Sequence, residues 1–314
     1  MLPKIAIVIP CYNEEDALPL SVNRLIEIID KLIIDNLIDK DSYILCSDDG
    51  SVDNTWEVIA GLHLKDNRVK GVSLAHNKGH QFALLAGLMT VRNNCDAAIS
   101  IDADLQDDPE AIIDMVKEFV AGKEIVYGVR SIRKSDTWFK RTTAHGLYSV
   151  QKKLGLDTIY DHADYRLMSN RALNLLSEYD ESNLYLRGII PQIGLETAIV
   201  KYERRERIAG KSKYPLKKMI SLSIDGITSF SAKPMRMVFI VGLAFLLADI
   251  LVALYVLGSY FNGSVVSGWT SLMLSIWFLG GLILMSVGVV GEYIGKIFIE
   301  VKKRPRYAIK DRLM

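Results

Sequence analysis

The sequence predicts an α/β domain with a Rossmann-like, mostly parallel sheet, followed by two membrane-spanning helices. Short apolar runs rich in β-branched residues alternate with helix-period segments over roughly the first 130 residues. Charged residues recur every few positions up to about residue 236, and two long apolar stretches follow. A chain of 314 residues is long enough for one large domain or two ordinary ones.

The apolar runs predict strands, and helix-period segments separate them. The strands, in chain order, are KIAIVIP (4–10), SYILCSDDGS (42–51), VKGVSLA (69–75), DAAISIDADLQ (96–106) and EIVYGVR (124–130). The helices span 14–33, 53–64, 80–92 and 108–122. Pro109 suits the first turn of the last helix. This alternation predicts a mostly parallel sheet with helices on both faces.

Charge and cysteine usage exclude some classes of function. The formal net charge of +1 gives no overall attraction to nucleic acid, so no nucleic-acid partner is expected. Cys11, Cys46 and Cys95 are widely spaced, which favours a reducing compartment over a disulfide framework. The apolar run after Lys4 is too short for a signal peptide and predicts a buried first strand.

The C-terminal third predicts a membrane anchor. Residues 237–257 carry one charge, Asp249, and residues 269–291 carry none. Each stretch reaches the roughly 20 residues that cross a bilayer as a helix. Lys and Arg flank both stretches but are absent from the linker 258–268, which predicts both flanks in the cytosol. Gly291 and Gly295 form a G-x-x-x-G motif, which is compatible with close helix packing in a homo-oligomer.

These patterns divide the chain into four parts. Residues 1–210 form a cytosolic catalytic domain, and residues 211–236 form a basic loop with interfacial juxtamembrane helices. Residues 237–291 form a two-helix transmembrane hairpin, and residues 292–314 form a basic cytosolic tail. The expected location is therefore a membrane, with the catalytic domain in the cytosol.

Polar clusters follow the predicted strands, on the sheet edge where ligands of such folds bind. The clusters are PCYNEE (10–15), SDDGS (47–51), HNKGH (76–80) and DADLQ (102–106). Asp48 and Asp49 suit hydrogen bonds from a nucleobase or ribose. Capping of the next helix by Ser51 or Asp53 explains the SDDGS turn equally well.

The DADLQ cluster predicts a cation site. Strand alternation places Asp102 and Asp104 on one face, and Gln106 continues it with a neutral oxygen. Two carboxylates at a strand end suit a divalent cation that bridges to a diphosphate, although D-x-D alone is a weak signal. For three further acidic residues, the first turn of the following helix is the simpler explanation: Asp107, Asp108 and Glu110.

Basic residues follow the acidic pair: Arg130, Arg133, Lys134, Lys140, Arg141, Arg166, Lys211 and Lys213. Surface solvation explains most such residues. Arg130, however, closes the fifth strand on the same edge as the acidic pair, where a second anionic substrate has to bind.

The ordered motifs resemble those of a known family. IPCYNE, SDDGSVDNT, HNKGHQFALLAG, DADLQDDPE, YGVRSIRKSD, DYRLMSNRAL and AGKSKYPLKK occur in the order typical of inverting GT-A-fold glycosyltransferases of family 2, polyprenyl-phosphate branch. SFSAKPMR and the ending GEYIGKIFIEVKKRPRY also match, so the resemblance covers nearly the whole chain. The motifs resemble those of bacterial undecaprenyl-phosphate glucosyltransferases of O-antigen modification, and more distantly those of dolichol-phosphate mannose synthase.

The resemblance implies roles for matching positions. A nucleotide pocket would include Pro10, Tyr12, Glu14, Asp48, Asp49, Lys78 and Asp102. Mg²⁺ or Mn²⁺ would bind Asp102, Asp104 and Gln106. Catalytic roles fall to Asp104, Arg130, Lys140, Arg166, Lys211 and Lys213, with Arg130 and Lys140 facing the acceptor phosphate and both lysines in a closing loop. His80 and the element HADYRL depart from the family pattern and put the donor hexose in doubt.

The resemblance also implies the reaction. A hexose, with UDP-glucose as the expected donor, would pass to undecaprenyl phosphate at the bacterial inner membrane, for modification of cell-envelope glycans. Because the acceptor phosphate is already ionised, in-line displacement with inversion needs no dedicated general base; Asp164 or Asp161 would orient the acceptor or cap local structure. Alternative donors are UDP-N-acetylglucosamine, GDP-mannose and UDP-aminoarabinose. A processive synthase lacks support because no Q-x-x-R-W motif occurs, and a non-catalytic scaffold leaves the acidic pair unexplained.

Overall fold

The fold comes from a computed structural model, which describes residues 1–130, 162–181, 185–203 and 268–314, with scattered positions between 235 and 254. Strands β1–β8 and helices α1–α7 are numbered over these residues alone. Described residues up to 203 and those in Arg304–Met314 form one compact unit. Described residues between 235 and 303 belong to a second unit.

The described part of the chain contains alternating strands and helices. In order they are β1 (Ile5–Cys11), α1 (Leu18–Ile34), β2 (Tyr43–Asp48), α2 (Thr55–Lys65), β3 (Val69–Leu74), α3 (His80–Val91), β4 (Ala97–Ser100), α4 (Ala111–Val120), β5 (Ile125–Arg130), β6 (His162–Ser169), α5 (Asn170–Ser177), α6 (Leu186–Gln192), β7 (Thr197–Tyr202), α7 (Trp269–Val301) and β8 (Ile309–Leu313).

The eight described strands form one sheet in the order β7-β5-β6-β4-β1-β2-β3-β8. Strands β1 to β5 and β7 run in one direction, whereas β6 and β8 run antiparallel to their neighbours. The predicted α/β domain with a mostly parallel sheet is therefore confirmed. The sequence patterns did not predict β6 or β8.

Helices cover both faces of this sheet, as the buried strands require. In β1, Ile7 and Ile9 join the core cluster that includes the buried face of α1 and α4. Val8 points the other way and lies against Gly87 of α3, where a Cβ would come within 2.4 Å of its side chain. All of β1 is buried, so the first apolar run is a central strand.

The fourth strand is shorter than the sequence predicted. Strand β4 ends at Ser100 instead of continuing to residue 106. Beyond it the chain turns: the amide of Leu105 donates to the carbonyl of Asp102 (3.3 Å), and Leu105 has φ of +45°. The acidic residues therefore lie in a strand-end loop.

Helix α7 contains the one described segment that is long and apolar enough to cross a membrane, Phe278–Val301. The other predicted span, 237–257, is described only at scattered positions. The predicted two-helix hairpin is therefore not confirmed. The described residues show one candidate membrane helix near the C-terminus.

The segment predicted as a basic tail, 292–314, contains regular structure. It continues α7 to Val301 and then forms β8, which pairs antiparallel with β3. Tyr307 and Ile309 pack against a small buried cluster that includes Leu74. The amide of Ala75 donates to the carbonyl of Ala308 (2.9 Å), so the tail covers the edge of β3 up to the loop that carries HNKGH.

Candidate active site

The loops after β2 and β3 are locked together at the carboxyl edge of the sheet. Both oxygens of Asp49 accept backbone hydrogen bonds, from Lys78 (2.7 Å) and Gly79 (2.8 Å). Gly50 has φ of +64°, and a Cβ there would lie 2.8 Å from the carbonyl carbon of His76. Only glycine fits this turn. The lock fixes the start of α3.

Asp48 and Asp49 are both buried and hydrogen-bonded within the protein. Asp48 accepts from the Ser51 amide (3.1 Å) and the Ser73 hydroxyl (2.8 Å). Burial raises the pKa of Asp49, and the two backbone hydrogen bonds oppose that shift without cancelling it. These contacts organise the loops. A nucleotide contact by either residue stays a prediction.

The residues predicted to line the nucleotide pocket lie at this same edge. Pro10 is buried in β1, and Tyr12 follows in an exposed position. The amide of Glu14 donates to the Thr55 hydroxyl (2.9 Å), which ties the loop after β1 to the start of α2. The Lys78 side chain is exposed. The structure brings the four positions to one edge and leaves their ligand a prediction.

Asp102 and Asp104 occupy the loop after β4, and both are partly exposed. Burial and the carboxylates of Asp107, Asp164 and Asp104 raise the pKa of Asp102, against the effect of His80. The Asp104 carboxylate accepts from the backbone amide of Gln106 (3.2 Å). The predicted alternation does not extend to Gln106, because its side chain is buried beyond the turn at Leu105.

The sequence interpretation of Asp107 was wrong. Asp107 is 1% exposed, and its Oδ1 accepts from Tyr202 Oη (2.6 Å), Arg130 Nε (3.0 Å) and Arg130 Nη2 (2.9 Å). Helix α4 begins only at Ala111. Asp107 therefore joins β5 and β7 to the acidic loop instead of starting the helix.

Asp108 and Glu110 lie directly before α4, close to the predicted helix start. Asp108 accepts from the Glu110 amide (3.2 Å), which shapes the turn before α4. Glu110 is the N-cap residue of α4, and its carboxylate also reaches α1, with Oε1 2.6 Å from Arg24 Nη2 and Oε2 3.4 Å from Lys31 Nζ.

Arg130 lies on the predicted edge, and its guanidinium is held by Asp107. Burial lowers the pKa of Arg130, but the Asp107 carboxylate and the Tyr202 hydroxyl together raise it by more, so the net shift is upward. Its side chain keeps 31% exposure. Three predicted basic residues, Lys140, Lys211 and Lys213, lie outside the described residues.

A second charged cluster surrounds Asp164 in β6, whose first residues lie at the same edge because β6 runs antiparallel. Arg166 Nη2 lies 2.5 Å from Oδ1, and Arg187 Nη2 lies 3.0 Å from Oδ2. Burial would raise the pKa of Asp164, but Arg187, His80 and Arg166 hold it well below its ordinary range. Asp164 therefore remains ionised and paired.

His80 links this cluster to the acidic pair. Its Nε2 lies 3.6 Å from Oδ1 of Asp102 and 3.6 Å from Oδ2 of Asp164. Burial lowers the pKa of His80, and the carboxylates of Asp164 and Asp102 raise it by more. The departure from the family pattern at His80 therefore falls inside the site.

Arg166 is predicted as catalytic, and it forms the floor of the cluster. It is 1% exposed and lies beside Ser100 of β4 and Tyr127 of β5. Within the described residues its Nε and Nη1 have no hydrogen-bond partner. Sequence reasoning missed Arg187 altogether, since YLRG carries no local signal.

The donor set fits a divalent cation that shares its coordination with a substrate. No group of three His, Cys, Asp or Glu side chains that could enclose a metal occurs among the residues the structure describes. Asp102 and Asp104 nonetheless place two carboxylates in one short loop, and the pKa of Asp102 is raised first by burial and then by the neighbouring carboxylates. Mg²⁺ is commonly held by one or two carboxylates with phosphate oxygens and water.

The fold and this edge define an α/β glycosyltransferase of the GT-A type. Residues 6–193 match the family model "Glycosyl transferase family 2". The chain belongs to that family and is a glycosyltransferase.

Curated relatives match over almost their whole length. The uncharacterized glycosyltransferase YkoT of Bacillus subtilis is 52% identical over 98% of this chain and 91% of its own. The bactoprenol glucosyl transferase of Shigella phage SfX is 37% identical over 98% of this chain and 99% of its own. Mannosyl-3-phosphoglycerate synthase from Rubrobacter xylanophilus is 19% identical, covers 75% of this chain and 74% of its own, and has a TM-score of 0.50, which supports the fold alone.

Proposed function

We propose that this protein transfers glucose from UDP-glucose to undecaprenyl phosphate at the cytosolic face of a bacterial inner membrane. The observation that carries the proposal is the end-to-end similarity to proteins named bactoprenol glucosyl transferase. That similarity includes the apolar C-terminal third as well as the catalytic domain. The product would be a lipid-linked sugar for modification of cell-envelope glycans.

Asp102 and Asp104 are the proposed metal ligands, and Gln106, the third position of the family pattern, is proposed to support them. A divalent cation bound there supplies a positive charge next to the donor diphosphate. The buried Gln106 side chain supports an indirect role more than direct ligation, because its backbone already orients Asp104. The remaining proposed roles stand as in the family pattern, with Pro10, Tyr12, Glu14, Asp48, Asp49 and Lys78 for the nucleotide.

The proposed chemistry is a single displacement with inversion. An ionised phosphate oxygen attacks the anomeric carbon, the bond to the diphosphate breaks, and its electron pair leaves with UDP. No proton has to be removed from the acceptor. Asp164 supports this, because a carboxylate paired with two arginines and with a strongly lowered pKa is a poor general base.

Membrane attachment follows from the acceptor. About 0.8 kcal/mol per buried CH₂ keeps a polyprenyl chain in the bilayer, so transfer has to occur at the membrane surface. The apolar segment Phe278–Val301 supports an anchor. Lys302, Lys303 and Arg304 follow it and favour a cytosolic C-terminus. A two-span topology remains the proposal.

Product formation from labelled nucleotide sugars tests the proposal. Detergent-purified protein is incubated with undecaprenyl phosphate, a divalent cation and radiolabelled UDP-glucose, and the lipid phase is extracted. Labelled lipid is expected with UDP-glucose. Stronger labelling with UDP-N-acetylglucosamine, GDP-mannose or UDP-aminoarabinose would reassign the donor, and no UDP release with any donor would favour a non-catalytic scaffold.

Asp104→Asn tests the metal. Loss of the Asp104 carboxylate is expected to abolish sugar transfer. The control is Asp114→Asn on α4, where Asp114 is exposed and paired with Lys117, and this variant is expected to retain transfer activity. Near-normal turnover of a folded Asp104→Asn protein would refute the metal assignment.

A further inference from the structure

Two guanidinium groups share the Asp164 carboxylate, and only one of them is buried. Arg166 Nη2 lies 2.5 Å from Oδ1, while Arg187 reaches both oxygens, with Nη2 3.0 Å from Oδ2 and Nε 3.2 Å from Oδ1. Arg166 is 1% exposed, whereas Arg187 is 41% exposed. One carboxylate balances one guanidinium, so the two arginines carry one positive charge more than Asp164 neutralises.

Of the two guanidinium groups, only that of Arg187 is exposed to solvent. Arg166 lies on β6 between β4 and β5 and is 1% exposed. Among the described residues, only Asp164 accepts hydrogen bonds from the Arg187 guanidinium, and both bonds use Nε and Nη2. Nη1 is left for another acceptor.

The position of Arg187 is fixed relative to the acidic pair. The amide of Leu186 donates to Gln81 Oε1 (3.0 Å), which ties the first turn of α6 to the first turn of α3. Gln81 follows His80, and His80 lies 3.6 Å from both Asp164 and Asp102. Arg187 is thus close enough to Asp102 for the Asp102 carboxylate to raise its pKa, together with Asp164.

We propose that Arg187 binds a phosphate oxygen of a substrate and that Asp164 is the positioning residue that holds its guanidinium. This inference rests on the proposed function, in which two phosphate-bearing substrates meet at this edge. The planar guanidinium matches phosphate geometry, and partial burial strengthens the charge-assisted hydrogen bond. The donor diphosphate and the acceptor phosphate share this chemistry.

Steady-state kinetics of the full-length protein test the role of Arg187, after wild-type turnover is established. Arg187→Gln is expected to lower kcat/KM about 10- to 100-fold. Arg187→Lys keeps the charge but loses the fork, so an intermediate loss is expected. The matched control is Arg171→Gln on α5. Arg171 is exposed and paired with Glu124, and unchanged kinetics are expected for this variant. The KM that rises, for the nucleotide sugar or for the lipid phosphate, identifies which phosphate is bound.

Three outcomes would overturn the proposal. The first is unchanged kcat/KM in Arg187→Gln. The second is an equal loss in the Gln and Lys variants together with lowered melting temperatures, which indicates a structural role. If Arg187→Gln does not fold, the third is an Arg187→Lys protein with both KM values unchanged.

Failure of the proposed function would look different. Wild-type protein would then form no labelled lipid with any donor. Calorimetric titration of the same variants with UDP and with undecaprenyl phosphate still tests Arg187: weaker binding of one of them supports the role, and unchanged binding of both overturns it.

Discussion

Replacement of Asp107 distinguishes two explanations of the acidic loop after β4. If Asp107 only complemented the dipole of α4, as the sequence predicted, its charge would contribute about 0.3–1 kcal/mol. In the structure its Oδ1 accepts from Tyr202 and twice from Arg130, at 2.6 to 3.0 Å. Removal of that acceptor takes the charged partner from the Arg130 guanidinium and a buried acceptor from the Tyr202 hydroxyl, although these two groups also hydrogen-bond with each other.

The magnitude follows from burial. Removal of one member of a buried ion pair costs about 3–5 kcal/mol. Because Arg130 is 31% exposed, water recovers part of that cost. We therefore expect about 2–4 kcal/mol for Asp107→Ala. Asp107→Asn keeps an acceptor oxygen and loses only the charge, so about 1–2 kcal/mol is expected.

Thermal melting of the detergent-purified protein measures the difference. A domain of this size shifts by about 2–4 °C per kcal/mol, so Asp107→Ala is expected to melt about 4–16 °C below wild type. The melting temperature of Asp107→Asn should lie between those of wild type and Asp107→Ala. Asp114→Asn, exposed in the first turn of α4, is the control and should melt within about 2 °C of wild type. A similarly small shift in Asp107→Ala would refute the buried-pair explanation.

Three further predictions concern positions that the structure makes special. Gly50→Ala should destabilise the protein by at least about 2 kcal/mol, because φ is +64° and the new Cβ would meet the backbone of His76. The control Gly61→Ala, which has open space around it in α2, should stabilise the protein by about 0.5–1 kcal/mol. Equal melting temperatures of the two variants would contradict this prediction. Ile309→Ala, on strand β8 beside β3, should lower the free energy of unfolding in denaturant by about 1–3 kcal/mol. The control Lys310→Ala, an exposed position on the same strand, should change it by no more than about 0.5 kcal/mol. An unchanged free energy of unfolding in Ile309→Ala would argue against a structural role for the C-terminal strand. Because the pKa of Asp164 is lowered in the folded protein, its ionised form stabilises the fold above the unfolded pKa of about 3.9, and this stabilisation is lost as the pH falls further. The difference in melting temperature between wild type and Asp164→Asn should therefore narrow from about pH 6 to about pH 3. A constant difference would contradict the pairing of Asp164 with the two arginines.

Local sequence patterns were sufficient for the first five strands, the first four helices and the edge on which the site lies. Burial alternation and strand length are set by neighbouring residues, and parallel strands place their carboxyl ends together regardless of detailed packing. The same reasoning correctly placed Asp102 and Asp104 at the end of the fourth strand. It failed at Gln106, because the turn at Leu105 ends the alternation, and at Asp107, because α4 begins only at Ala111 and Asp107 pairs with Arg130 and Tyr202.

Strands β6 and β8 could not be predicted locally because each depends on distant partners. Strand β6 lies between β4 and β5, and β8 pairs with β3 after more than 230 intervening residues. Their pairing brings Asp164 to the active edge and turns the supposed tail into an edge strand. A contact across such a distance leaves no periodic signal in either segment.

By itself, the sequence determined the mostly parallel α/β domain, the strand-end position of the acidic pair, and the family through its ordered motifs. Only the tertiary structure decided which charges are partners. Asp107 pairs with Arg130 and Tyr202, Asp164 holds Arg166 and Arg187, and His80 lies between two carboxylates. The physical reason is that a charged side chain responds to every group within a few ångströms, whatever its place in the chain, whereas a local pattern records only its neighbours in sequence.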